Sequence, residues 1–217
     1  MAGRVDGRAA ECKGRAFRGF VSGSRYDCGA GWLGFNRRFY AACAMAVPLR
    51  KGCRVLDLGC GTGSLMLAMA GRTAPGSLLA GVDLSADQLS YARVKLARAA
   101  VPFDLCLASI DELPFEDGSF DLVVSSLTFH AVPSPVRRGA IAEARRVLRP
   151  GGCFALIDHA RPLPGLVGLL WVVPMLLHCD RENWSNVYPD LCREAGFALL
   201  TDVYINPLVR CQVFVRP

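Results

Sequence analysis

The chain has 217 residues, 52% of them hydrophobic and 20% charged, with 25 Lys and Arg against 19 Asp and Glu for a net charge of +6. That balance excludes a disordered chain and is long enough for one domain with a full core. The positive charge is nearly all arginine, scattered in pairs such as Arg37-Arg38, Arg137-Arg138 and Arg145-Arg146, which reads as solvated helix faces and makes a nucleic-acid partner unlikely.

The ten cysteines contain no Cys-x-x-Cys pair and no His/Cys cluster with zinc spacing. They read as free thiols in a reducing, cytoplasmic compartment, and no metal is expected. The first twenty residues are charged and lack the apolar stretch of a secretory signal. Residues 1–24 are rich in Gly, Arg and Ala and are expected to form a disordered basic tail. Asp6 and Glu11 argue against an organelle transit peptide, though import stays open. Residues 25–217 are expected to form a single domain.

From Trp32 to Val47, apolar residues recur at helical spacing (Trp32, Phe35, Phe39, Ala42, Cys43, Ala46). This predicts a helix beside a ligand crevice, ending before Pro48. A short apolar strand with one acid, Asp57, then runs into Gly59, Gly61 and Gly63, and Ser64 opens a helix. Strand, glycine turn and helix start together make a backbone anion and ligand cradle.

Leu78–Asp83 is the second strand, ending in an acid twenty residues after Gly63. An acid at that point of a doubly wound sheet accepts hydrogen bonds from ribose hydroxyls. Ser85 and Gln88 form a capping box for a helix running to Ala99. Phe103–Ala108 is the third strand, and 109–119 is a loop. Phe120–Ser126 is the fourth strand, suited to a buried parallel position. His130 follows it, and Ser134 caps an amphipathic helix over 134–148. Arg149-Pro-Gly-Gly152 closes that helix before a fifth strand, Cys153–Asp158.

The run Pro162–Leu177 is apolar and broken by Pro162, Pro164 and Pro174. It is shorter than the roughly 20 residues of a membrane span, and 162–182 is expected to act as a lid. A helix over 183–195 stops at Gly196. Phe197–Tyr204 and Leu208–Val215 then suit a hairpin at the sheet edge.

Taken in order, Val55–Gly63, Gly81–Ser85, Leu113-Pro-Phe-x-Asp-x-Ser-Phe-Asp121 and Leu148-Arg-Pro-Gly-Gly152 resemble the motifs of the class I S-adenosylmethionine (SAM)-dependent methyltransferases. The likeness is strong over residues 50–160 and loose over 25–215. It is nearest to the branch holding the ubiquinone and menaquinone C-methyltransferases and their small-molecule relatives. The resemblance implies an α/β, Rossmann-like three-layer sandwich, with a seven-stranded mostly parallel sheet and an antiparallel last strand. It implies SAM as cofactor and S-adenosylhomocysteine as product, with Asp57, Gly59, Cys60, Gly61, Gly63, Asp83, Leu84, Ser109, Ile110 and Ser126 in the cofactor site. One departure stands out. Many relatives carry Gly-Asp-Ala where this chain has Ala108-Ser109-Ile110, so the adenine would meet an uncharged Ser109 and the Ile110 backbone.

Ligands of such sheets sit outside the carboxyl ends of the strands, which puts His130, Asp158 and His159 on the acceptor side. Histidine titrates near neutrality, so His130 and His159 are the candidate catalytic bases; each could equally be a hydrogen-bonded wall residue. Tyr26, Asp158 and Trp171 are the candidate acceptor contacts, with His178 and Asp180 weaker ones. The lid's apolar side chains suit a small hydrophobic or aromatic acceptor, and would also suit a peripheral membrane contact. The expected activity is methyl transfer from SAM to such a molecule. RNA or protein methylation, or a non-catalytic interaction subunit of the same fold, are the alternatives.

Overall fold

The computed structural model describes residues 22–73, 76–99, 101–165, 170 and 185–217. The tail through residue 21 and most of the expected lid, with Trp171, His178 and Asp180, lie outside the described residues. Seven strands form one sheet: β1 (Arg54–Leu58), β2 (Leu78–Asp83), β3 (Phe103–Leu107), β4 (Phe120–Ser126), β5 (Leu148–His159), β6 (Ala198–Asn206) and β7 (Val209–Val215). Their order is β3-β2-β1-β4-β5-β7-β6. Strands β1 to β5 pair in parallel, and β7 runs antiparallel to both β5 and β6. The order reverses between β1 and β4, which opens a crevice there.

Six helices flank the sheet among the described residues: α1 (Gly23–Trp32), α2 (Arg37–Ala46), α3 (Ser64–Ala70), α4 (Ala86–Leu96), α5 (Ser134–Val147) and α6 (Tyr188–Glu194). Side chains alternate across each strand, so the core divides in two. Val55, Leu79, Val124 and Ile157 pack with Cys43, Met66, Met69 and Leu96 from the helices on one face. Leu56, Val82, Val123 and Phe154 pack with Ile141, Ala144, Val147 and Leu191 on the other. This is the expected three-layer sandwich. By the same parity, Asp57 points to the face of α2 and α3.

Several expected boundaries move. The helix expected over Trp32–Val47 is broken, because Gly34 takes a left-handed φ of 92° and Asn36 starts a new helix by accepting from Arg38 N (2.9 Å) and Phe39 N (3.3 Å). Trp32 ends α1 and is 89% exposed rather than part of a buried stripe. Residues Gly23 and Ser24, assigned to the tail, open α1 instead. The capping box at Ser85 is only half formed. Ser85 Oγ accepts from Gln88 N (3.2 Å), but the Ser85 N–H goes to Asp83, and Gln88 Oε1 accepts from Gly23 N (2.8 Å). Pro133, not Ser134, caps α5. Of the helix expected over 183–195, residues 183 and 184 lie outside the described residues, and α6 runs Tyr188–Glu194 after Asn186 in a left-handed conformation (φ 56°).

Strand β5 begins at Leu148, five residues earlier than expected. Leu148 pairs with Phe120 and Cys153 with Leu122, so a bulge absorbs the Arg-Pro-Gly-Gly segment. A Cβ on Gly152 would lie 2.8 Å from the Arg149 carbonyl oxygen and 3.1 Å from that of Asp121, which explains the second glycine.

Phe154 is fully buried, with ring centroids of Phe129, Phe197 and Phe214 at 6.0, 5.9 and 6.2 Å. Phe154→Ala should destabilise the fold by about 3–5 kcal/mol, read as a lower urea midpoint.

Candidate active site

The site grows from the carboxyl ends of β1, β2 and β4. The β1–α3 turn is tied to β2 by Gly59 N and Cys60 N, which both donate to the Val82 carbonyl at 2.9 Å. Gly59, Gly61 and Gly63 all have positive φ (72°, 52° and 73°), a region that only glycine enters freely. Their surroundings differ. A Cβ on Gly59 would strike Thr128 at 2.4 Å, whereas one on Gly61 would meet nothing within 4 Å. The first glycine admits Thr128, and the second leaves open space for a ligand. Gly63 is the N-cap of α3.

Asp83 organises this turn. Its Oδ2 accepts from Gly61 N and its Oδ1 from Ser85 N, each at 2.8 Å. Burial raises its pKa, and the N–H groups of Ser85, Gly61 and Leu84 partly offset that. Asp57 has less support. It is 1% exposed, and its Oδ1 has no hydrogen-bond partner among the described residues. Burial, and then the charge of Asp83, push its pKa up to about 8.

A cleft opens between these groups. Asp57, Gly59, Cys60, Gly61, Asp83, Leu84, Ile110 and Ser126 line it, as expected for a cofactor site. Tyr26 also lines it, but beside Asp83 at the cofactor end rather than on the acceptor side: burial, Asp83 and Asp27 raise its pKa, in that order. Ser109 does not line the cleft; its hydroxyl bonds the Asp111 carboxylate. Of the two residues expected at the adenine, only Ile110 lines the cleft. Tyr40, Thr62, Gln88 and Thr128 line the cleft as well, and no local sequence pattern singles them out.

The residues present fit SAM. Asp57 Oδ1 and Ser126 Oγ are buried polar atoms without partners among the described residues, and both residues face the cleft. Asp57 would take the ammonium group of the amino-acid end. Asp83 would take the ribose hydroxyls on its remaining lone pairs.

The acceptor side is built around Asp158, at the end of β5 and 3% exposed. Its Oδ2 accepts from His130 N (3.0 Å). Its Oδ1 bonds His130 Nδ1 and accepts from His159 N, both at 2.7 Å. Burial alone would raise the Asp158 carboxyl, but the His130 ring, its hydrogen bond, and then the His159 ring and N–H outweigh this and hold it below the ordinary range. Both oxygens thus bond N–H groups of the protein, which ties the His130 ring to Asp158 through Nδ1. His130 lies in the turn Phe129–Ala131, and the next residues, Ala131 and Val132, line the cleft. The His159 ring sits between His130 (4.7 Å) and Phe35 (5.8 Å).

Among the described residues, no group of three or more His, Cys, Asp or Glu could hold a metal ion, and no helix is long and apolar enough to cross a membrane. The eight described cysteines are free thiols. Burial raises the pKa of Cys43, Cys60, Cys192 and Cys211, so these four are poor nucleophiles.

Three outcomes follow from the carboxylates. Asp57 has a folded pKa of about 8 against an ordinary 3.8, so its contribution to ligand-free stability is fully present below about pH 4 and lost as pH rises through 8. Asp57→Asn should remove that slope. Binding of the cationic cofactor favours the ionised form, so near pH 7 it should release up to about one proton; calorimetry in buffers of different ionisation enthalpy will read this. Asp83→Asn should weaken S-adenosylhomocysteine binding about 10- to 100-fold by titration calorimetry.

Residues 55–152 match the family model described as a methyltransferase domain. An uncharacterized methyltransferase of Synechocystis is 30% identical over 171 residues, covering 77% of each chain. The 27-O-demethylrifamycin SV methyltransferase of Amycolatopsis mediterranei is 40% identical over 65% of this chain and 48% of its own. A demethylmenaquinone methyltransferase of Symbiobacterium thermophilum is 35% identical over 60% of this chain and 51% of its own. The chain spans about half the length of these last two relatives. With the glycine cradle, the two cleft carboxylates and the strand order all in place, the chain belongs to the class I SAM-dependent methyltransferases.

Proposed function

We propose that the protein methylates a small, hydrophobic acceptor bearing an ionisable hydroxyl, such as a phenol or hydroquinone, with His130 as general base. The observation that carries this reading is the His130–Asp158 pair beside the cofactor cleft. When bound, SAM supplies a methyl group that is already electrophilic on its sulfonium. The chain's part is to hold the acceptor in line, exclude water and take up the hydroxyl proton at His130 Nε2. Asp158 stabilises the imidazolium that this creates and stays ionised, because its pKa is already depressed. The His159 and Phe35 rings offer an aromatic wall next to the base.

The relatives agree in chemistry. The rifamycin enzyme's name specifies an O-methyl product. The demethylmenaquinone enzyme's name specifies a quinone-type ring, and removing a hydroxyl proton from the reduced ring would activate its carbon. A ring-carbon product is therefore the second reading, served by the same base.

The test is methyl transfer from labelled SAM to a panel of phenols and hydroquinones. His130→Ala should lower kcat about 10²- to 10⁴-fold, with S-adenosylhomocysteine affinity retained. Full activity in that variant would refute the base, and turnover only of RNA or protein would refute the acceptor class.

A further inference from the structure

Helix α1 is an unusual cover for a cofactor cleft. It brings Tyr26 into the cleft lining, yet Gly23 is its only buried residue. Three of its ten residues are glycine, and Trp32 at its end is exposed. Hydrophobic packing therefore contributes little to holding it down.

Polar contacts hold it instead. At its start, Gly23 N donates to Gln88 Oε1 (2.8 Å) over the Tyr91 ring. In its middle, Asp27 meets the cofactor turn. Asp27 Oδ2 pairs with Lys95 Nζ at 2.6 Å, and Asp27 Oδ1 accepts from Thr62 Oγ1 at 2.6 Å. Lys95 Nζ also donates to Ser64 Oγ (2.6 Å), the first residue of α3. One ion pair thus joins α1, α4 and the glycine turn.

The pair also stands in a wall. A second cavity, lined by Asp27, Tyr40, Ser64 and Lys95 among others, backs onto the cofactor cleft, and Tyr40 and Ser64 line both. Past the end of α1, Gly34 sits at φ 92° with no atom within 4 Å of a Cβ built on it, so the chain can bend there at little steric cost.

We propose that Asp27 and Lys95 are a positioning pair that latches α1 over the cofactor, and that breaking the pair is the step by which product leaves. With the latch closed, Tyr26 covers the cleft and Thr62 and Ser64 are held at the start of α3. With it open, α1 swings about Gly34 and the cleft joins the second cavity. The side chains of Lys95 and Asp27 are 20% and 26% exposed, so salt reaches the pair and weakens it. The inference rests on the cofactor site alone and is independent of the acceptor.

Surface plasmon resonance of S-adenosylhomocysteine on the full chain tests it. Asp27→Asn and Lys95→Met should each raise the dissociation rate about three- to tenfold. The wild-type rate should rise with ionic strength, while the rates of the two variants should not. The reversed pair, Asp27→Lys with Lys95→Asp, should return the rate toward wild type, which a purely structural role would not produce. A dissociation rate unchanged in both single variants, or a wild-type rate indifferent to salt, overturns the latch. So does a reversed pair no better than the single variants.

Discussion

Two carboxylates that share one cleft set the terms for the rest of this structure. Asp83 ends β2, Asp57 lies one residue before the end of the adjacent parallel strand β1, and both line the cleft. Burial disfavours both charges, and each raises the other's cost. The chain resolves the conflict unequally. Asp83 gathers the N–H groups of Gly61 and Ser85, which also lock the glycine turn against β2. Asp57 keeps one oxygen without a partner among the described residues and waits for a cation. A positively charged, ribose-bearing ligand relieves both groups at once. The same site that is strained when empty is therefore selective when filled.

The acceptor side solves the opposite problem. Asp158 is as deeply buried, but three N–H donors surround it, two from the backbone and one from a ring. Its charge is stabilised in advance, and it cannot be neutralised cheaply. The result is an imidazole held through Nδ1. The three aspartates thus differ in role: Asp83 organises a loop, Asp158 anchors a ring, and Asp57 keeps an oxygen without a partner among the described residues. What separates the roles is the number of donors that each backbone position happens to present.

Much of this was legible in the chain. Strand β1, the glycine turn, Asp83 and β4 are local patterns, where period and spacing act within a dozen residues. Eight of the ten residues expected at the cofactor line the cleft. The misreadings share a cause, which is competition for one donor or acceptor between distant segments. Gln88 completes a capping box by sequence, but in three dimensions its side chain serves Gly23, 65 residues away. Ser109 occupies the adenine position by alignment, but its hydroxyl has a nearer partner in Asp111. The single helix expected over 32–47 failed for a different reason: the apolar period continued through Gly34 and Asn36, and their backbone preferences overrode it.

Helix α1 shows how a weakly packed element can still be specific. Its composition carries almost no core signal, so its first two residues fall within the expected tail and no local pattern gives its one acid, Asp27, a role. The fold nevertheless gives that acid two hydroxyl neighbours and an ammonium. An element held by burial gains stability in proportion to its area and opens only at that cost. One held by a few charged contacts can be firm at low salt and still release as a unit. For a site that must admit one large cationic ligand and discharge its uncharged thioether product at every turnover, the second arrangement suits the task better. Tyr26 can be part of the wall in the closed state without making the wall permanent.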